Sequence, residues 1–311
     1  MDSRIACGSL FVMTSGMKRA HLIANSRSGK GLGASLAETA KKVCDELAVE
    51  LVVHDRGELE DRAREAIAAA TEDDVVIAAG GDGTIRSVAE LISQTRIQLG
   101  VVPCGTFNFF ARAHRIPEDQ EQALRVAVTG EVKSVRLGEV NGRKFLINAS
   151  LGLYAKSIEN REQATDRFGR KRIVVLLSTI ATLLKPHRLL TVRMKTDVSL
   201  ETRLTPMIFI GNNSLQLRNL KLSVAKCFRD DLLAIVTLKP VRGWEMIRVI
   251  WRGITRTLEK EERLAQTCSE SLVIETRRKI QAVALDGEMF EMRSPFHVSA
   301  VPDAIRLVVP K

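Results

Sequence analysis

Aromatic residues are scarce: Phe, Trp and Tyr together make 4% of the 311 residues, with a single Tyr. Binders of single-stranded nucleic acid set aromatic platforms among their cations, so this scarcity argues against that class, and no recognisable nucleic-acid module is present. Long apolar runs are missing too. The longest, Ile173 to Leu184, falls short of the roughly 18 residues that cross a bilayer as a helix. The five cysteines, Cys7, Cys44, Cys104, Cys227 and Cys268, are odd in number and widely spaced. They show neither Cys-x-x-Cys nor Cys/His pairing at zinc spacing, so separate, reduced core fillers in a cytoplasmic protein are expected. Internal repeats and low-complexity tracts are absent. The opening "GSLFVMTSG" lacks the basic lead and apolar length of a signal peptide. Met17 looks like a more natural start, and residues 1–16 are expected to be a disordered extension or a mis-assigned start.

What the chain does have is positive charge and a regular alternation of elements. Lys and Arg number 47 against 37 Asp and Glu, a formal charge of +10, which favours an anionic partner such as a charged membrane or a phosphorylated ligand. Across the first third, "AHLIAN", "VELVVH", "DVVIAAG" and "QLGVVP" read as strands. Between them "LGASLAETAKKVCDELA", "ELEDRAREAIAAA" and "TIRSVAELISQ" read as helices. That pattern predicts an α/β domain over 17–133, a parallel sheet with helices on both faces, whose ligands gather at the carboxyl ends of the strands. Beyond it the runs shorten and alternate. "EVNGRKF" carries the Asn-Gly signal of a hairpin, and "LLTVRMKTD", "PMIFIGNN", "LLAIVTLKP", "SLVIETRRK" and "IQAVALDGE" are further strands. An all-β, sandwich-like domain is expected over 134–300, interrupted by helices near 169–184 and from Gly243. Residues 301–311 are expected to form a terminal strand.

Four short stretches carry chemistry. "GGDGT", Gly80 to Thr84, follows a strand. Its glycines let successive amides turn toward one oxyanion, and the helix that follows adds its positive end. Asp82 inside a phosphate cradle implies a divalent cation or a reacting hydroxyl between the negative groups; its other meaning is a helix cap. "ANSRSGKG" from Ala24 is a second basic turn, without the spacing or the Ser/Thr of a P-loop. "PCGTFNFFAR" from Pro103 offers the hydroxyl of Thr106 and the amide of Asn108 to a nucleotide or its metal, or else begins a helix. In "VALDGEMF", Asp286 and Glu288 flank Gly287 and suit a general base that takes a proton from an alcohol, although Asp-Gly most often means a hairpin turn.

Together, "GGDGT", "GTFNFFAR" and "LDGE", in this order and on these elements, resemble the diacylglycerol kinase catalytic-domain family, which includes sphingosine kinases and bacterial lipid kinases. "NASLGLY" and "FIGNNSLQL" extend the likeness into the β-rich half. The resemblance implies a cleft between the two domains that holds ATP and Mg2+, with the last strand returning to the first domain. Gly80, Gly81, Asp82, Gly83 and Thr84 would bind phosphates, with Asp82 organising the magnesium. Asn25, Ser26, Ser28, Gly29, His54, Gly105, Thr106 and Asn108 would line the nucleotide site. Asp286, with Glu288 beside it, would activate a lipid hydroxyl for attack on the γ-phosphate. Of a structural magnesium site known in the family only Asp230 remains, because Asp231 and Ala234 replace its other matching positions.

The expected protein is therefore an ATP-dependent kinase of lipid metabolism and phospholipid biosynthesis, acting on diacylglycerol or a related membrane lipid. It would be cytoplasmic, at most peripheral at the inner face of the membrane. The rivals are a kinase of soluble nucleotides, such as an NAD kinase, and a non-catalytic lipid or nucleotide sensor. Oligomeric state is open, a homodimer included. Both tryptophans lie on one helical stretch, where Trp244, Ile247, Trp251, Ile254 and Leu258 share a face and Arg248, Arg252 and Arg256 another. Such a helix either lies on an anionic surface or packs on the β domain.

Overall fold

The computed structural model describes residues 18–24, 32–153, 189–197, 199–213, 217–218, 222–229, 232–241 and 243–311. Asn25, Ser26, Ser28, Gly29 and Asp230, residues 1–16 and the helix expected near 169–184 lie outside the described residues. Strands and helices alternate as β1 (Arg19–Ala24), α1 (Leu32–Glu46), β2 (Glu50–His54), α2 (Leu59–Ala69), β3 (Val75–Gly80), α3 (Asp82–Ile92) and β4 (Gln98–Pro103). The strands lie parallel in the order β2-β1-β3-β4. Every residue of β3 is buried, as a central strand covered on both faces must be.

Two helices follow β4: the short α4 (Phe109–Ala113) and α5 (Gln120–Thr129). The alternation read from the sequence did not contain α5. Its start is set by Asp119, whose side chain accepts the Gln122 amide at 2.9 Å. Ala123, Leu124, Ala127 and Val128 turn inward to the core.

The second half is β-rich. β5 (Glu131–Val140) and β6 (Arg143–Phe145) form the expected hairpin, with Asn141 and Gly142 both at positive φ. There follow β7 (Asn148–Gly152), β8 (Leu190–Thr196), β9 (Leu200–Thr205), β10 (Met207–Gly211), β11 (Leu233–Leu238), α6 (Gly243–Ile254), β12 (Leu264–Ser269), β13 (Ser271–Thr276), β14 (Ile280–Leu285), β15 (Glu288–Arg293) and β16 (Phe296–Val309). Six of these strands form an antiparallel sheet in the order β12-β11-β10-β7-β14-β15. Its inner face meets β5, β8, β13 and β16 through a core that includes Phe145, Leu151, Ile208, Ile235, Ile274 and Phe296. The architecture is thus the expected α/β domain followed by a β sandwich.

β16 joins the two parts. Its first residues pair with β13 inside the sandwich, and Arg306 and Leu307 pair in parallel with Gln98 and Leu99 of β4. A register shift between Val301 and Ile305, with Asp303 at φ 46°, bends the strand. Ala304, Ile305, Leu307, Val308 and Val309 then enter the core of the α/β domain.

The expectation for the cysteines needs correction. Cys227 and Cys268 form a disulfide across a sequence separation of 41, with Cα atoms 5.5 Å apart. Cys268 lies on β12 opposite Ala234 of β11, and the 3-10 turn Ser223–Arg229 packs over the same outer face. The sheet makes these neighbours, and linear spacing carried no sign of it. Cys44 and Cys104 are free.

Candidate active site

Two glycine turns meet at the carboxyl end of the parallel sheet. β3 ends at Gly80 and α3 begins at Asp82, with Gly81 as a cap that has no side chain to bond the first-turn amides. No cap side chain bonds the amides of the first turn, and the start of a helix favours an anion. β4 ends next to it, and the Cys104 amide donates to the Gly80 carbonyl at 2.8 Å. A Cβ at Gly105 would lie 2.8 Å from Gly81 Cα and 2.8 Å from Asn108 Oδ1. The turns therefore touch through backbone, and only glycine fits there.

Asp82 and Asn108 fix this junction. Asn108 is left-handed at φ 50°, and its Oδ1 accepts the Gly105 amide at 2.9 Å. That leaves the start of α4 without a cap of its own. Asp82 supplies one from the other turn: its Oδ2 accepts the Phe109 amide at 3.2 Å and its Oδ1 the Phe110 amide at 3.1 Å. Burial pushes the Asp82 carboxyl up from its ordinary range, opposed by the amides of Phe110, Phe109 and Asn108. The lone carboxylate among glycines thus ties the starts of α3 and α4 together.

The "LDGE" hairpin brings the late carboxylates to the same place. Asp286 and Gly287 both have positive φ in the turn between β14 and β15. Asp286 Oδ2 accepts the Leu146 amide at 2.6 Å, and Oδ1 accepts those of Ile147 and Asn148 at 2.8 and 2.9 Å. The Asp286 amide donates in return to the Asn148 carbonyl at 2.9 Å. Burial raises this carboxyl to about 6, against the pull of the three amides and Arg86. Glu288, one turn residue later, is less enclosed, with its side chain 42% exposed. A Cβ at Gly83 would overlap Glu288 Oε1, so this carboxylate of the late hairpin sits on the glycine loop.

Arg86 is the site residue that sequence reasoning missed. Its side chain is 4% exposed, and Nη2 donates to Glu288 Oε2 at 2.6 Å while Nη1 donates to Glu90 Oε2 at 2.9 Å. Its guanidinium also lies 5.0 Å from the centre of the Phe290 ring. Glu90 Oε1 in turn accepts the Lys144 amide at 3.2 Å. The available signal was an arginine on the apolar face of α3 with a glutamate four residues on.

Thr84 is buried, and its side chain leaves no room for a Cβ at Gly80, the nearest approach being 2.5 Å. Thr106 lies in the β4–α4 turn between Gly105 and Asn108. His54 lies two strands from this junction, at the end of β2, with its Nε2 3.1 Å from His21 Nδ1 and its Nδ1 3.7 Å from Glu65. Among the described residues no cluster of three or more His, Cys, Asp or Glu is placed to hold a metal. The site suits phosphate through helix amides, and a magnesium ion would depend mainly on oxygens of the phosphate itself.

Residues 19–140 match the diacylglycerol kinase catalytic domain. A diacylglycerol kinase of Bacillus subtilis (strain 168) is 29% identical over 287 residues, which is 88% of this chain and 90% of that one. The matched region and this relative support a lipid kinase, with residues 19–140 similar to the catalytic domain of diacylglycerol kinases. A diacylglycerol kinase of Staphylococcus aureus (strain JH9) is 39% identical over 138 residues, 43% of this chain and 44% of that one. The fold is also that of a diacylglycerol kinase from Bacillus anthracis str. Sterne, with a TM-score of 0.73 at 20% identity, over 95% of this chain and 98% of the other.

Proposed function

We propose that this protein transfers the γ-phosphate of Mg-ATP to the hydroxyl of diacylglycerol or a related membrane lipid. One observation carries the reading: Glu288, 202 residues away from Arg86 in sequence, sits against Gly83 of the phosphate-binding turn. A base for an alcohol is thereby held beside the amides that would take a triphosphate.

The three acidic residues divide the work. Asp82 holds α3 and α4 so that their amide ends converge. Asp286 spends its oxygens on three backbone amides and positions the turn. Glu288 is the carboxylate left to accept the hydroxyl proton. The lipid oxygen bonds to the γ-phosphorus, the bond to the β–γ bridging oxygen breaks with ADP leaving, and the proton passes to Glu288. Magnesium, bound to the triphosphate, supplies charge neutralisation. Thr84, Thr106 and Gly105 would line the nucleotide.

The test is transfer of labelled γ-phosphate to diacylglycerol in mixed micelles, with other lipid alcohols in parallel, for wild type and Glu288→Gln. Labelled phosphatidic acid that falls by about 10²-fold or more in the variant supports the reading. ATP binding without a labelled lipid would favour a sensor, and a label on a soluble nucleotide would replace the acceptor.

A further inference from the structure

Helix α6 is apolar on two opposite faces. Met246, Val249 and Ile250 pack on Leu153, Leu238 and Val241, which accounts for the inward face. Trp244, Ile247 and Trp251 point the other way and are 67%, 57% and 64% exposed. At 100° per residue these three fall within one narrow stripe. The helix ends at Ile254, and Leu258 belongs to a separate 3-10 turn packed beneath β11. The outward face is therefore short, and its two tryptophans are the only ones in the chain.

The charges beside this stripe are positive toward solvent. Arg248 and Arg252, 39% and 28% exposed, share Glu261, whose side chain is 1% exposed, at 3.2 and 3.0 Å. The Arg248 guanidinium lies 5.4 Å from the centre of a Trp244 ring. Glu245 is paired with Arg263 and 16% exposed. Glu259 and Glu262 stand beyond the helix end, together with Arg256 and Lys260. The carboxylates nearest the stripe are thus turned inward, and its rim presents arginine.

Tryptophan with arginine at one edge suits the boundary between lipid headgroups and chains better than a dry protein interface. The indole body is apolar, its N–H needs a polar partner, and the guanidinium meets lipid phosphate. From this chemistry we infer that the outward face of α6 is an interfacial anchor that seats the protein on an anionic lipid bilayer. This inference rests on the lipid-kinase reading for its purpose, while its geometry stands alone. A lipid acceptor would then be approached by a chain held at the membrane surface.

The tryptophans make the test direct, because all native indole emission comes from this face. Full-length protein is mixed with vesicles of phosphatidylcholine alone and with vesicles of equal parts phosphatidylcholine and phosphatidylglycerol. The anionic vesicles are expected to shift the emission to the blue and to carry the protein down on sedimentation. Trp244→Gln with Trp251→Gln is expected to weaken sedimentation by about ten-fold or more without altering the circular dichroism. Sedimentation of wild type and variant alike, with emission unmoved, would overturn the assignment. So would a wild type that ignores anionic vesicles, or one whose concentration-dependent self-association is lost in the variant, since a second copy would then cover the face. Phosphorylation of a short-chain, water-soluble diacylglycerol without vesicles separates the two readings. Its absence, with vesicle binding intact, sinks the kinase reading alone; its persistence in a protein that ignores vesicles sinks the anchor alone.

Discussion

Gly83 and Gly105 both resist a side chain, but for different reasons, and their alanine variants should separate. At Gly105 the added Cβ meets the Cα of Gly81 at 2.8 Å. Backbone cannot swing away, so Gly105→Ala is expected to lower stability by about 1–3 kcal/mol and to disturb both turns, visible as a lower melting temperature. At Gly83 the obstacle is the far end of the Glu288 side chain, which can move. Gly83→Ala is expected to melt close to wild type yet to lose phosphoryl transfer nearly as Glu288→Gln does; equal loss of stability in both alanine variants would show that the distinction is wrong. Asp286 adds a dependence on pH. With its carboxyl raised to about 6, acidification from neutral pH through that value puts a proton on an oxygen that faces amides. Activity should fall across this window as the turn loosens. The folded chain binds that proton more tightly than the unfolded one does, so across the window from about 6 to the ordinary 3.8 its uptake favours the folded state. Loss of activity ahead of any melt, followed by circular dichroism along the same titration, is the expected result.

Among the elements, α4 is short and depends on groups outside itself. Asp82 caps its start, and His114 closes its end with the imidazole packed 4.7 Å from the Phe110 ring centre. Burial, with help from Lys133, lowers His114 to about 4. Unfolded, the ring takes its proton near its ordinary 6.5, so its contribution to stability is intact above that value and is lost as pH falls toward 4. Chemical denaturation at stepped pH should show a slope of up to one proton in this window, absent in His114→Gln. Arg86 links α3 to β15, and Arg86→Met would leave Glu90 and Glu288 without their shared cation. A loss of about 1.5–3 kcal/mol is expected from the charged hydrogen bonds removed, since both carboxylates keep access to water, read as a lower denaturation midpoint, together with weaker transfer. The α/β alternation was legible because β1, β3 and β4 are nearly continuous apolar runs set apart by helical periodicity. β9, β12 and β15 were not. "LETRLT" and "EMFEMR" carry charges, and all three strands lie at sheet edges where one flank needs no partner. The motifs singled out Gly80–Thr84 and Asp286–Glu288, which the fold brings together. That Asp82 and Asp286 spend their oxygens on amides of other segments could be known only once those segments were adjacent.

At the scale of the molecule, β16 determines whether the matched region 19–140 can stand alone. In sequence it reads as one more apolar strand near the end, and nothing local says that its last residues lie between β4 and β5. That placement is a long-range pairing, and strand order is the feature that periodicity does not encode. Its consequence is energetic. Ile305, Leu307, Val308 and Val309 are each no more than 4% exposed in the core of the α/β domain. At about 1.5–3 kcal/mol for each buried aliphatic side chain, their removal takes more than ~6 kcal/mol from a fold whose total is about 5–15 kcal/mol. It also bares the edge of β4, a template for pairing with other chains. A fragment ending at residue 140 is therefore expected to expose apolar surface and aggregate, seen as strong binding of a hydrophobic dye and a broad, non-cooperative melt. Adding a peptide of residues 296–311 should restore a cooperative transition by pairing beside β4. A fragment that melts cooperatively without the peptide would show that the α/β domain completes its own core and that the return of β16 serves only to hold the two domains together.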